Sequence, residues 1–180
     1  MDAVIRPAEV RDSVAIAAIY RPFVETSHIS FEEVPPEPQQ MSARMANPIY
    51  PWLVIDEGDK LLGYASAAPM RDRAAYRWSV ETGIYFAPEA RGRGLGRRLL
   101  ETQLDLLERQ GFVTAVAGIA LPNEASVALH KKVGFVLLGI ERGVGFKRGK
   151  WVDVGRLQRD LAPRAGNPRE PIPYAAISPS

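Results

Sequence analysis

The run Arg91-Gly92-Arg93-Gly94-Leu95-Gly96 constrains this chain more than any other segment, because it joins a strand-like stretch (Val80 to Phe86) to a long amphipathic one (Leu95 to Gln110). Glycines at the mouth of a helix leave the backbone bare. The first-turn N–H groups there lack an intrahelical partner, and the positive end of the helix dipole lies behind them, which suits a diphosphate. A nucleotide-hydrolysing loop would require Gly-Lys followed by Ser or Thr, but Gly96 is followed by Arg97-Arg98-Leu99. A dinucleotide fingerprint counted from Gly92 would require glycine in the place of Arg97 and an acidic residue closing a strand about 20 positions on; both are lacking.

Composition narrows the chemistry further. With 180 residues, 46% of them hydrophobic, the chain suits one domain with a substantial core. The balance of 23 basic against 21 acidic residues leaves a net charge of +2, so no nucleic-acid partner is implied. The absence of cysteine excludes disulfides, thiolate metal sites and a cysteine nucleophile, and with two histidines no metal centre is expected. The start Met1-Asp2-Ala3-Val4-Ile5-Arg6 lacks the basic and apolar regions of a leader, and no apolar run approaches the 18 or so residues that span a bilayer. A soluble, cytoplasmic protein without a membrane partner is the expectation.

Along the chain, Ala3 to Arg6 reads as a strand and Asp12-Ser13 as the cap of a helix carrying Val14, Ala17, Ala18, Ile19 and Phe23. Three prolines make Ser30 to Gln40 a loop or edge segment, and Met41 to Ala46 a second short helix. Trp52 to Ile55 and Leu61 to Ala68 form a hairpin turning at Asp56-Glu57-Gly58-Asp59; Tyr76 to Phe86 follows as a strand in which Gly83 marks either a bulge or a close approach. Val113 to Leu121 is the next strand, Asn123 caps a helix from Glu124 to Lys132, and Gly134 ends it. The last hairpin pairs Val136 to Phe146 with Trp151 to Arg159. From Pro163 onward five prolines (Pro163, Pro168, Pro171, Pro173, Pro179) break the chain into a tail that lies on the surface or wanders.

Taken in order, the strand, the Arg-Gly loop, the helix, the strand, Leu121-Pro122-Asn123 and the following helix resemble the GCN5-related N-acetyltransferases. Ser30-Phe31-Glu32, Tyr50-Pro51-Trp52-Leu53-Val54, Ala75-Tyr76-Arg77-Trp78, Ser126-Val127, Leu129-His130 and Gly149-Lys150-Trp151-Val152-Asp153-Val154-Gly155 are similar, within that superfamily, to the phosphinothricin and methionine sulfoximine acetyltransferases. The resemblance runs from about Ile5 to Leu161. It implies an α/β (α+β) fold whose central, mostly antiparallel mixed sheet splays at the acetyl-CoA site between flanking helices. It also implies a domain over residues 1–162 with a proline-rich tail over 163–180, acetyl-CoA as co-substrate, a small-molecule amine as acceptor, and a homodimer. The chain departs from that family at Val152, where histidine is frequent, near Arg156, where aromatics are frequent, and at Glu32-Glu33, where a basic residue occurs. Acetyl transfer is therefore better marked than the identity of the acceptor.

The residues themselves supply candidates. An acceptor ammonium must lose a proton before its nitrogen attacks a thioester. Glu81 shares a strand face with Gly83 and Tyr85, opposite the apolar Val80, Ile84 and Phe86, so it faces either a cleft or solvent, and the resemblance places the base there. His130 matches a position where the family uses histidine in proton transfer; packing through a helix-face hydrogen bond is the alternative. The resemblance implies that Tyr85, Phe86 and Ala87 meet the pantetheine arm, that Arg91, Gly92, Arg93, Gly94, Leu95, Gly96 and Arg97 surround the diphosphate, and that Asn123 and Ser126 meet the far end of the arm. For Asn123 a plain cap is the competing reading. Phe31, Arg71, Arg73 and Tyr76 are implied on the acceptor side, with Arg71 or Arg73 holding a carboxylate. Without a cysteine or a Ser-His-Asp arrangement, direct transfer in a ternary complex is expected. A protein N-terminal or lysine acetyltransferase, and a non-catalytic CoA-binding domain, are the other functions these residues allow.

Overall fold

The computed structural model describes residues 3–164 and 166–177; Pro179 of the tail lies outside them. Seven strands form one sheet: β1 (Val4–Pro7), β2 (Leu53–Glu57), β3 (Lys60–Pro69), β4 (Ser79–Phe86), β5 (Thr114–Leu121), β6 (Val136–Lys147) and β7 (Lys150–Asp160). Their spatial order is β1-β2-β3-β4-β5-β7-β6, and every pairing is antiparallel except β4 with β5. Helices α1 (Ser13–Thr26) and α2 (Pro38–Met45) cover one face, and α3 (Leu95–Gln110) and α4 (Glu124–Lys132) the other. Val54 packs with Ile16, Tyr20 and Met41, whereas its neighbour Ile55 packs with Leu95 and Leu99, as alternation along a strand requires.

The parallel pair makes the architecture functional. β4 and β5 are in register only from Ser79 opposite Thr114 to Glu81 opposite Val116, yet they continue to Phe86 and Leu121. Beyond that point each keeps its outer neighbour, β3 or β7, and the two separate. The splayed mixed sheet with flanking helices is the α/β fold expected.

Local chemistry accounts for the boundaries. On α3, Leu99, Leu100, Leu104 and Leu107 recur at helical spacing and are wholly buried, each contributing about 1.5–3 kcal/mol. Left-handed glycines, Gly94 (φ +74) and Gly111 (φ +100), stand at its two ends. The β6–β7 hairpin turns through Arg148 and Gly149, both at positive φ, the geometry that matches strand twist.

Two expectations need correction, and two open alternatives are decided. Helix α2 starts at Pro38, not Met41: proline sits at the first helical position, where its missing N–H costs nothing, and Glu37 and Gln40 form a capping box. Residues Ala74–Tyr76 make a 3-10 turn, so β4 begins at Ser79. The register of β3 with β4 is unbroken at Gly83, opposite Ser66, which removes the bulge; a Cβ there would stand 2.9 Å from Ser66 Oγ, so the close approach is the correct alternative. The tail does not wander where it is described: Gln110 and Ile172 exchange hydrogen bonds, and the Trp78 indole donates to the Arg169 carbonyl at 2.8 Å.

Candidate active site

Two cavities open from the splay. The first, of about 530 Å³, lies between the diverging ends of β4 and β5 and the mouth of α3; the second, of about 710 Å³, lies on the α1 side of the sheet under the 29–32 segment and the β6–β7 hairpin. Ile29, Tyr85, Gly118 and Ala120 line both, so they meet at the point where the strands part.

Arg91, Gly92, Gly94, Leu95 and Gly96 line the first cavity. Gly92 and Gly94 both adopt φ +74, and a Cβ on either would project into open space, so the strain of the turn and not crowding selects glycine. No side chain caps the N-terminus of α3. Its first N–H groups are thereby left for an anion, with the dipole of a 16-residue helix behind them. Gly96 does a different job: a Cβ there would come within 3.3 Å of Leu129, so it allows α3 and α4 to close up. Arg93 and Arg97 are engaged elsewhere, with Glu57 and Glu101 at 2.7 and 2.8 Å.

Farther along the cavity, Tyr85 and Phe86 belong to the part of β4 that β5 has left. Ala87 is not in the lining and its N–H already donates to the Leu62 carbonyl at 2.9 Å. Asn123 and Ser126 are both in the lining, although the Asn123 side chain also accepts from the Ser126 N–H at 3.2 Å and so caps α4. A largely apolar cavity with the bare amides of α3 at its edge fits a pantetheine arm with its diphosphate.

His130 is 3% exposed and its Nδ1 lies 2.8 Å from the Ser126 carbonyl, which can only accept, so Nδ1 carries the proton. Its Nε2 is buried without a partner in a residue that lines the first cavity. Desolvation pulls the imidazole below its ordinary value, so it is neutral at pH 7 and Nε2 is an acceptor.

Glu81 lines the second cavity, 3.7 Å from the Arg156 guanidinium. Arg156 in turn donates from Nε to Glu141 at 2.9 Å. Glu32 also lines this space but is spent: Arg44 grips it at 2.8 and 2.9 Å, the Tyr20 hydroxyl donates to it at 2.9 Å, and the Arg44 bonds hold its carboxyl below the usual range. Phe31 lines the cavity with its ring against the bare Cα of Gly145, where any Cβ would collide with it. Lys147, 7% exposed, fixes the roof by donating to the carbonyls of Val24, Ser30 and Glu32 at 2.6, 2.7 and 2.8 Å.

Arg71, Arg73 and Tyr76 line neither cavity: Arg71 donates to the Met70 carbonyl, and Arg73 lies over the Tyr76 ring at 5.9 Å. Their expected place beside the acceptor has no support within this single chain. Glu141, Gly118, Gly145 and Lys147 are residues that motif reading passed over, and Arg156 was noted only as a departure from the family. Only Gly118 and Gly145, glycines inside strands, carried a local signal. Among the described residues there is no cluster of three or more metal-ligating side chains, and no helix is long and apolar enough to cross a membrane.

Residues 16–135 match the model of the acetyltransferase (GNAT) family. The chain belongs to that family. It is 42% identical to the phosphinothricin N-acetyltransferase of Alcaligenes faecalis over 87% of this chain and 82% of that one. It is 36% identical to the L-methionine sulfoximine/L-methionine sulfone acetyltransferase of Pseudomonas aeruginosa, over 93% of this chain and all of that one. Among solved structures it is similar to the GNAT superfamily phosphinothricin acetyltransferase of Sinorhizobium meliloti in complex with acetyl-CoA, with a TM-score of 0.87 and 36% identity over 97% and 99% of the two chains.

Proposed function

We propose that this GNAT-family chain is a cytoplasmic, homodimeric N-acetyltransferase that moves the acetyl group of acetyl-CoA to the primary amine of a small amino acid of the phosphinothricin or methionine sulfoximine type. One observation carries the reading: the cavity with the bare helix mouth and the cavity with Glu81 meet where β4 and β5 part. Acetyl-CoA supplies an acyl carbon activated as a thioester. The α3 amides bind the diphosphate and the free edge of β4 aligns the arm. Glu81 takes a proton from the acceptor ammonium so that a nitrogen lone pair faces the acyl carbon. His130 Nε2 receives the second proton that the nitrogen sheds and returns it to the departing sulfur, so the amine becomes an amide and the thioester a thiol. Direct transfer places the two reactants side by side, which is the main catalytic contribution.

Lys147 ties the 24–32 segment to the hairpin beside the acceptor space, and this fixed wall supports a small substrate over a protein terminus. Homodimer formation is supported by the exposed apolar residues Val136, Leu138, Ile140, Phe146 and Trp151 on the outer hairpin, a patch of the kind that soluble chains cover. Arg71, Arg73 and Tyr76 then act, in this proposal, on the cavity of the other subunit. The test is incubation of the enzyme with acetyl-CoA and phosphinothricin or methionine sulfoximine, with mass spectrometry of the product. One added acetyl group on the amine supports the reading; recovery of unmodified acceptor and intact thioester contradicts it.

A further inference from the structure

Arg156 is the cation lining the acceptor cavity, and its surroundings hold it ready for an anion. Glu81, Gly118 and Arg156 sit on three adjacent strands, with Gly118 opposite Arg156 in the β5–β7 register and Glu81 opposite Val116 in the β4–β5 register. A Cβ on Gly118 would stand 2.7 Å from Arg156 Nη1 and 3.4 Å from Glu81 Oε1, so a side chain there would push the guanidinium away from its present place beside Glu81. Glu141 takes the Nε hydrogen at 2.9 Å and fixes the guanidinium plane. Glu81 is 3.7 Å from Nη1, too far for a hydrogen bond, and among the described residues no other protein acceptor takes the Nη hydrogens. The result is a planar pair of donors beside the proposed base, supported from behind and open to the cavity in front.

We infer that Arg156, in place of Arg71 or Arg73, binds the α-carboxylate of the acceptor and thereby selects α-amino acids over other amines, which leaves Arg73 to the acceptor's side chain. This rests on the acetyl-transfer reading. The amine and the carboxylate of an α-amino acid share one carbon, so their polar atoms are spaced like Glu81 Oε1 and Arg156 Nη1. The ammonium donates to the first while the carboxylate accepts from the second, with charge-assisted bonds of about 2.7–2.9 Å. Once seated, the acceptor satisfies both the guanidinium and Glu81, and its nitrogen is held at the junction of the two cavities. A neutral amine leaves the guanidinium donors unpaired in a cavity from which it has displaced water, a cost that a site built for a polar partner imposes on the wrong substrate.

Steady-state kinetics of the full-length protein with methionine sulfoximine and with its α-carboxamide, for the parent, Arg156→Met and Arg156→Lys, tests this. The parent is expected to prefer the acid strongly. In Arg156→Met the ratio of kcat/KM for the acid to that for the carboxamide falls about 10²-fold, because the acid loses its partner while the carboxamide no longer leaves a guanidinium unpaired; acetyl-CoA affinity is unchanged. Arg156→Lys restores part of the preference, because charge survives without the planar fork. If Arg156→Met slows acid and carboxamide alike, or leaves the preference intact, the inference is overturned while acetyl transfer stands. If the parent acetylates neither compound but does acetylate peptide N-termini, the small-acceptor reading fails and the inference with it.

Discussion

The Nδ1 hydrogen of His130 is given to the carbonyl of Ser126, four residues earlier on the same helix, at 2.8 Å. That bond decides the tautomer, and burial decides the charge, so the ring is neutral and its Nε2, buried without a partner in a residue that lines the first cavity, is a proton acceptor. His130→Gln is expected to lower kcat about 10- to 10²-fold with little change in acetyl-CoA affinity. The wild-type rate should fall on acidification below the ordinary imidazole range, because protonation removes the Nε2 lone pair. A variant with unchanged kcat across pH would assign the ring to packing alone.

The same burial has a consequence for stability. The unfolded chain binds a proton on this histidine below about pH 6.5, whereas the folded chain resists it to lower pH. More protons are bound unfolded, so this contribution is complete above pH 6.5 and is lost as pH falls towards the folded-state value. Urea midpoints measured between pH 7.5 and 5 should therefore drop more steeply for the parent than for His130→Gln. Parallel curves would contradict the buried neutral ring.

Gly94→Val is expected to weaken acetyl-CoA binding by at least tenfold. A branched residue at φ +74 costs roughly 1–2 kcal/mol locally and places its methyl groups in the open space before the α3 amides. The melting temperature without ligand should fall by only a few degrees. Calorimetric titration with acetyl-CoA checks it, and parent-like affinity would mean that the diphosphate is held elsewhere.

Much of the fold was legible in the sequence because its signals are local. Both ends of α3 are marked by glycine, and its leucines repeat at helical spacing; the reading of Leu95 to Gln110 matches the observed helix residue for residue. The glycine loop before α3 and the faces of β4 are local in the same way. Pro38 was misread because proline breaks a helix interior yet favours its first position, and only the capping box tells the two apart. The Arg156 arrangement was hidden for another reason: strand register brings together Glu81, Gly118, Glu141 and Arg156, which no local pattern links. Lys147 looks like a solvated hairpin charge until three carbonyls from the α1 side are found around its ammonium.

Arg73→Ala is expected to raise the KM for the acceptor at least tenfold and to spare acetyl-CoA binding. Since Arg73 stands outside the cavity of its own chain, mixing this variant with inactive Glu81→Gln should regain activity, each mixed dimer holding one complete site. Light scattering should give twice the chain mass for the parent, and half that for Ile140→Lys combined with Phe146→Lys. Failure to complement in a proven dimer would remove Arg73 from the acceptor site.

Glu81→Gln is expected to lower kcat by about 10²- to 10⁴-fold at neutral pH, with the deficit shrinking as pH rises and free amine becomes abundant. The amide keeps the size of the side chain and loses its basicity. A deficit of the same size at every pH would make Glu81 a positioning group.

The central claim, acetyl transfer from acetyl-CoA to a small amino acid, is tested most directly by thiol release on the parent enzyme across a panel of phosphinothricin, methionine sulfoximine, simple alkylamines, lysine and N-terminal peptides. The account predicts rapid, acceptor-dependent release with the first two and at least 10²-fold lower kcat/KM for the alkylamines and peptides. Equal or higher kcat/KM with peptide N-termini, or no acceptor-dependent release from any member of the panel, would contradict it.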